Sequence, residues 1–384
     1  MTDAVTVHTD LLDSAAAGEA LGSQIAAAFS DQRPDALIVF ASSRYDFGKL
    51  LRTLEARSSP KVMVGCSSAG EFTSNAQGEG MACAVALRSP DMRFSAGIGR
   101  RMSHDRARAA SDLVSSFNGL RTYDYPFRSA VILADALTGH TDKLIEYLAM
   151  LTSGTYQFVG GGAGDDTRFQ RTHVFYGTEL VTDGVVGLEI LSEHPIGIGV
   201  GHGWQLAGPA MRVTEADGMR LIRLNAVPTV EIFQEHAETT DQRFDPNEPV
   251  PFFLDNVIGI DTGQGYKLRV PLAVNSDGSI TCVAGFPSGA IVRIMTTSAN
   301  PTLAATSTAV TSAVRPLRGR APKLALVFDC VTTRLRRGKE FGFELNAIQR
   351  ILEGPAWLAA TPMGKSCGRK ASSMASTTAP PQSA

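Results

Sequence analysis

Lys61-Val-Met-Val-Gly-Cys-Ser-Ser-Ala-Gly-Glu71 and Tyr156-Gln-Phe-Val-Gly-Gly-Gly-Ala-Gly-Asp-Asp166 follow one pattern, an apolar strand running into a glycine-rich loop that ends on carboxylates. The same elements precede both. Ala36-Leu-Ile-Val-Phe-Ala-Ser42 and Ala130-Val-Ile-Leu-Ala-Asp-Ala136 are short apolar runs of strand type. Helical stretches follow them, with Leu50, Leu51 and Leu54 in one and Leu144, Ile145, Leu148 and Leu151 in the other. Beyond each loop lie two further runs, Gly80 to Leu87 with Arg93 to Gly99, and Gly184 to Leu191 with Ile196 to Gly201. A short proline-bearing turn divides each pair, which reads as a β-hairpin. The unit is therefore strand, helix, strand, loop, hairpin. A third copy begins at Leu324-Ala-Leu-Val-Phe-Asp-Cys330, continues as a helix around Phe341 to Leu352, and stops at Gly354-Pro355. Its closing strand and loop are not legible.

Antiparallel hairpins mixed with crossover helices predict an α/β fold with layered mixed sheets flanked by helices. A chain of 384 residues has room for two domains. Apolar spacing at Ala107, Ala110, Leu113 and Val114 predicts a helix linking the first two units. Past Thr214 the pattern changes, and a helix from Pro228 to His236 and strands including Pro251 to Leu254 are expected. The expected division is an N-terminal segment 1–28, a first domain 29–217, a second domain 218–358 and a tail 359–384. The tail is rich in Ser, Thr, Ala and Pro without apolar periodicity. It has too little surface to bury to offset an ordering entropy of about 1–2 kcal/mol per residue.

A 43% hydrophobic and 19% charged composition fits a folded globular protein. A net charge of −2 with dispersed basic residues gives no electrostatic footprint for nucleic acid. The nearest exception, Arg315 to Lys323 with Arg334, Arg336 and Arg337, reads as a solvated loop and helix start. No apolar run is long enough to span a membrane, and the acidic opening segment with Asp3, Asp10 and Asp13 lacks the pattern of a secretion signal, so a cytoplasmic location is expected. Five cysteines without a C-x-x-C pair favour reduced thiols over disulfides or a zinc site.

The glycine-rich loops are the leading site candidates: Gly65, Cys66, Ser67, Ser68 and Glu71 in the first, Gly161, Gly162, Asp165 and Asp166 in the second. A phosphate cradle ends in Lys, Ser or Thr. Here a carboxylate about 4 Å from a phosphate would cost about 4 kcal/mol per charge pair at an effective dielectric of 20. An ammonium-bearing or metal-bound ligand fits better, and the competing reading is turn formation or helix capping at a strand end. On the ligand reading, Glu71→Ala and Asp165→Ala weaken binding without unfolding the chain. His202 and Trp204, in Gly201-His-Gly-Trp204, form a candidate binding pair beside the bland alternative of a hydrogen-bonded structural histidine. His202, His140 and His173 are the candidate axial ligands should the protein hold haem. Cys66 would need a nearby base to act as a nucleophile, no G-x-S-x-G motif is present, and a non-enzymatic protein is expected.

At these loops the chain resembles the FIST family of bacterial sensory domains over about residues 30 to 358. The carriers are Val64 to Glu71, Val159 to Asp166, His202-Gly-Trp204 with Gly208-Pro209 and Val213-Thr214, and Leu326-Val-Phe-Asp-Cys330. The resemblance implies a FIST N-like first domain, a FIST C-like second domain and a sensory role in signal transduction, with an amino-acid-like small molecule as ligand. Through a similar subgroup it also implies haem-based nitric oxide sensing that acts on a histidine kinase. No output segment is legible here, so the implied partner is a separate histidine kinase or cyclic-di-GMP signalling protein. Family members end in a Tyr-Gly-Glu segment with a later His-Asn. Back-translating Pro362 to Thr377 and shifting by one base can produce such an ending, which makes a frameshifted tail a hypothesis beside coincidence.

Overall fold

The computed structural model describes residues 2–74, 76–122, 124–263, 265–337, 341–352, 356–360 and 365–368. The first unit runs β1 (Asp3–Thr9), α1 (Ser14–Ala28), β2 (Ala36–Ser42), α2 (Phe47–Ser58), β3 (Val62–Ser68), β4 (Glu71–Thr73), β5 (Gln77–Gly78) and β6 (Ala82–Arg88). The second repeats that order as β7 (Met92–Arg100), α3 (Arg106–Ser115), β8 (Phe127–Ala134), α4 (Thr141–Leu151), β9 (Gln157–Gly162), β10 (Val174–Tyr176), β11 (Glu179–Val181) and β12 (Gly184–Ser192). An aspartate side chain opens three of these helices: Asp13 accepts from Ala16 N at 2.7 Å, Asp46 from Lys49 N at 3.0 Å and Asp105 from Arg108 N at 2.9 Å. Each satisfies an amide that the helix cannot.

The two units form four layers, helix–sheet–sheet–helix. One sheet has the order β1-β6-β2-β3-β10-β11, and the other, read from its far edge, ends β9-β8-β12-β7. Every residue of β2 is buried because both of its faces are covered. Leu37, Val39 and Ala41 meet α1 and α2, while Ile38 and Phe40 meet the second sheet through Val131, Leu133, Val186 and Leu188. On the outer face of the second sheet, Ala109, Leu113, Leu144 and Leu148 of α3 and α4 cover Ile132 and Val185. Residues 1–28, expected as a separate segment, are integral: β1 pairs with β6 from Asp3↔Arg88 to Thr9↔Ala82, and Leu21 and Ile25 of α1 are fully buried.

A nine-stranded antiparallel sheet interrupts the repeats. It comprises β13 (Gln205–Leu206), β14 (Met211–Asp217), β15 (Arg220–Leu224) and β16 (Val227–Pro228), then α5 (Thr229–Thr239), α6 (Val250–Phe253), β17 (Asn256–Asp261), β18 (Tyr266–Arg269), β19 (Pro271–Val274), β20 (Ile280–Cys282) and β21 (Ile291–Thr296). The boundary expected near residue 217 falls within the β14–β15 hairpin, whose tight turn keeps both strands in one sheet. Residues 250–253, expected as a strand, are helical. Phe252 and Phe253 are adjacent and both buried in one core, which strand alternation would prevent.

The third unit then resumes with α7 (Ala299–Val314), β22 (Leu324–Phe328), α8 (Val331–Arg337), α9 (Phe341–Leu352) and β23 (Ala356–Ala360), followed by β24 (Lys365–Gly368). The closing strand absent from the sequence pattern is present, since β23 lies parallel to β22 from Leu324↔Ala356 to Phe328↔Ala360. Within the expected tail, residues 359–360 belong to β23, and β24 pairs with β9 from Lys365↔Gly161 to Gly368↔Phe158. The rest of the tail, including most of the stretch of the frameshift hypothesis, lies outside the described residues. Among the described residues no helix is long and apolar enough to cross a membrane.

The first two units each lend a loop hairpin, and the third a strand, to another unit. Strands β10 and β11 of the second unit extend the first sheet through Val174↔Cys66. The β4–β5 hairpin of the first extends the third unit's sheet through Ala360↔Glu71, and β24 of the third extends the second. This closed exchange draws the ends of β3, β9 and β23 together.

Candidate functional site

The acid-ended loops do meet. Gly164 N donates to Ser67 O at 2.8 Å, Asp166 N donates to Ser68 O at 3.3 Å, and a Cβ on Gly164 would stand 2.8 Å from Ala69 N. Glycines also seat the strands that lead there. A Cβ at Gly65 would lie 2.2 Å from Val39 O, and one at Gly160 would lie 1.8 Å from Ile132 O.

The carboxylates, however, turn mostly inward. Glu71 is fully buried; its Oε1 accepts from Ser68 Oγ at 2.5 Å and its Oε2 from Met81 N at 3.0 Å. Asp165, 2% exposed, accepts from Phe169 N at 2.9 Å, Gln170 N at 2.6 Å and Arg171 N at 3.0 Å. These two side chains close their own loops, as a buried carboxylate must find donors nearby. Truncating either side chain removes these bonds, so a loss of stability is expected beside any loss of binding. Cys66 lies between the sheets, paired with Val174, and burial pushes its thiol well up, so it stays protonated as a packing residue.

Asp166 differs. Half-buried at φ 53°, it receives Ser42 Oγ and Ser43 N, both at 2.9 Å, and the Ser43 hydroxyl, all on Oδ2. Its Oδ1 is buried with no hydrogen-bond partner among the described residues. His173 stands beside the same strand ends. Its amide donates to Ser67 Oγ at 3.0 Å, its ring meets Phe47 edge-on at 5.3 Å, and its Nδ1 is likewise buried and unpartnered among the described residues. Burial, then the Arg171 charge, holds the imidazole below its ordinary pKa and therefore neutral near pH 7. Ser42 pairs with Ser68 and Ala41 with Ser67 across β2 and β3, so Ser42, Ser43, Ser67, Asp166 and His173 gather at the carboxyl ends of two parallel strands. Open α/β sheets commonly bind ligands at that place.

The remaining candidates lie elsewhere. Gly161 and Gly162 are buried in β9, where Gly161 faces Leu133 and Lys365. His140 opens α4 at φ 49°, and a Cβ on Gly285 would sit 2.8 Å from its Cε1, so it belongs to the contact with the inserted sheet. Arg269 reinforces that contact through Asp142 Oδ2 and Gly285 O, each at 2.8 Å. His202 is exposed near the start of α7, and Trp204 lies 5.8 Å from the guanidinium of Arg336. Among the described residues no cluster of three or more His, Cys, Asp or Glu could hold a metal ion. Sequence reasoning passed over Ser42 and Ser43; the available signal was a hydroxyl pair directly after a fully apolar strand.

Family comparison adds two matches. The FIST N domain model covers residues 35–227 and the FIST C domain model residues 230–360. No curated protein matches the chain.

Proposed function

Because the chain belongs to the FIST family, whose domains are associated with sensory signal transduction, we propose that it binds a small amino-acid-like ligand at the carboxyl ends of β2 and β3. The observation that carries this reading is the pair of buried polar atoms left open there, Asp166 Oδ1 and His173 Nδ1. A buried carboxylate oxygen without a donor is costly, and an ammonium group supplies three donors. Neutral His173 accepts or donates one further bond, and the serine hydroxyls adapt to either role. The protein then acts as a non-enzymatic sensor that passes its state to a separate signalling protein of histidine-kinase or cyclic-di-GMP type.

Calorimetric titration with the twenty L-amino acids tests this. Saturable binding that Asp166→Asn abolishes, at unchanged melting temperature, is the expected outcome; asparagine tolerates the left-handed backbone at this position. Binding that survives both Asp166→Asn and His173→Ala removes the site. Haem, and with it nitric oxide sensing, is the alternative, drawing on the same open Nδ1 of His173. A Soret band that forms on adding haem and is lost in His173→Ala would place that reading ahead.

A further inference from the structure

The loop between β9 and β10 holds charges of both signs on one short piece of backbone, with Asp165, Asp166, Arg168 and Arg171 all inside residues 165–171. Asp165 sets its shape. The amides of Phe169, Gln170 and Arg171 donate to its buried carboxylate at 2.9, 2.6 and 3.0 Å, and Arg168 N donates to its carbonyl oxygen at 3.2 Å. The chain therefore curls around this one side chain and brings the backbone of Arg171 back beside the neighbour of Asp166. The curl is strained. Asp166, Thr167 and Phe169 stand at φ 53°, 66° and 55°, a left-handed conformation that the β-branched Thr167 in particular disfavours. Strain of this kind persists where surrounding contacts over-determine it, and it gathers at ligand clamps.

Beyond the curl the chain straightens. Val174 pairs with Cys66 and Ser67 N donates to His173 O at 2.9 Å, so the pairing of β10 with β3 reaches back to His173. Burial alternates along the approach. Thr172 is fully buried and its hydroxyl donates to Asp135 Oδ1, whereas Arg171 is exposed and His173 half-buried. In an extended chain this alternation sets Arg171 and His173 on one side and Thr172 on the other. Electrostatics agree, since after burial it is the Arg171 charge that most holds the His173 imidazole down.

Asp166 and Arg171 do not neutralise each other. Asp166 spends Oδ2 on Ser42 and Ser43, and its buried Oδ1 has no partner among the described residues. Among the described residues Arg171 bonds only through its amide, to Asp165. An exposed arginine with a free guanidinium is ordinary by itself. Here the loop that presents it is pinned by a buried carboxylate and carries an open anion five residues earlier.

We propose that Arg171 is the specificity-determining residue of this site: it takes the α-carboxylate of the ligand while Asp166 takes the ammonium, so that an α-amino acid is recognised as a zwitterion and an amine lacking the carboxylate is rejected. This inference rests on the ligand reading above. The planar guanidinium fork matches a carboxylate with two parallel bonds. Depth follows from burial. The ammonium lies innermost, against the buried Asp166 Oδ1, and the carboxylate lies toward solvent, where part of its hydration is kept.

Calorimetric titration of the full chain with the twenty L-amino acids and with their α-carboxamides tests this, because a carboxamide keeps the ammonium and side chain but has no carboxylate charge. In the wild type an acid that binds should do so about tenfold or more tightly than its carboxamide. Arg171→Gln should remove that preference by weakening the acid to the same extent while leaving the carboxamide and the melting temperature unchanged, since the amide of residue 171 still reaches Asp165. Arg171→Lys should recover part of the loss. Equal wild-type affinity for acid and carboxamide overturns the proposal, as does an Arg171→Gln variant that weakens both alike or neither. Binding that Asp166→Asn abolishes and Arg171→Gln leaves intact keeps the ligand reading and removes only the role of Arg171. If no acid and no carboxamide binds, the ligand reading falls and this inference falls with it.

Discussion

Asp165→Ala separates a loop-closing carboxylate from a ligand-binding one. Its two oxygens accept three backbone amides, Phe169 N at 2.9 Å on Oδ1 and Gln170 N at 2.6 Å with Arg171 N at 3.0 Å on Oδ2. A hydrogen bond to a charged group contributes about 1.5–3 kcal/mol, so three would suggest more than the loop can lose. Residues 168–170 are exposed, and water takes over part of the bonding once the carboxylate is gone. The expected destabilisation is therefore about 3–5 kcal/mol. Asparagine keeps one acceptor. With that oxygen toward Gln170 and Arg171 it loses the bond to Phe169 and sets two donors against each other, for about 2 kcal/mol. Urea unfolding followed by far-ultraviolet circular dichroism measures both, and the order wild type, Asn, Ala in midpoint is the signature. An alanine variant within about 0.5 kcal/mol of wild type that had lost ligand affinity would refute the reasoning and return Asp165 to the binding site.

Arg269→Met should lower stability by about 2–4 kcal/mol in thermal or urea unfolding, because the arginine side chain is 8% exposed and its loss leaves the Asp142 carboxylate partly buried without its cation. Burial alone would raise the Asp142 carboxyl, but Arg269 holds it below the usual range, so this contribution is present near neutral pH and fades as pH falls through the carboxylate range. His140, His173 and His236 are all held below the ordinary 6.5, chiefly by burial, so the unfolded chain binds more protons below that pH. Stability should be level above about pH 7 and fall toward pH 5.5, at most about 1.4 kcal/mol per unit for buried His236 and less for the two half-buried rings. A flat profile would contradict the burial of these imidazoles. Gly97→Ala, whose Cβ would lie 2.1 Å from Leu113 O in a strand paired along its length with β12, should cost about 2–3 kcal/mol. Gly197→Ala should cost less although its contact is closer, because residues 196–201 make no backbone hydrogen bond to any described residue and can move; equal losses would contradict that freedom.

Much of the architecture is local and therefore legible. Seven-residue apolar runs such as Ala36–Ser42, three- and four-residue spacing in the helices, and aspartates at the helix starts each act within a few positions of themselves. Two repeats and the start of a third follow from those patterns, but the expected hairpins do not form: β6 pairs with β1 and β2, whereas β7 pairs with β12 in the other sheet, and residues 196–201 do not pair with β12. The site was less legible. Asp165 and Asp166 are neighbours with identical side chains, yet one is consumed by amides four to six positions along its own loop and the other reaches Ser42 and Ser43 across the fold. Nothing in composition or spacing separates them, because the donors that decide their roles are brought close only by chain folding.

By itself, then, the sequence determined the strand–helix alternation, the α/β class and the positions of the glycine-rich turns, since these depend on side-chain periodicity and backbone freedom within short windows. Only the tertiary structure decided which hairpin completes which sheet and which carboxylates face inward. Those outcomes rest on pairings such as Val174↔Cys66 and Ala360↔Glu71, between residues far apart in the chain. No local pattern encodes such pairings; the requirement that every buried amide and carboxylate find a partner selects them once the layers assemble.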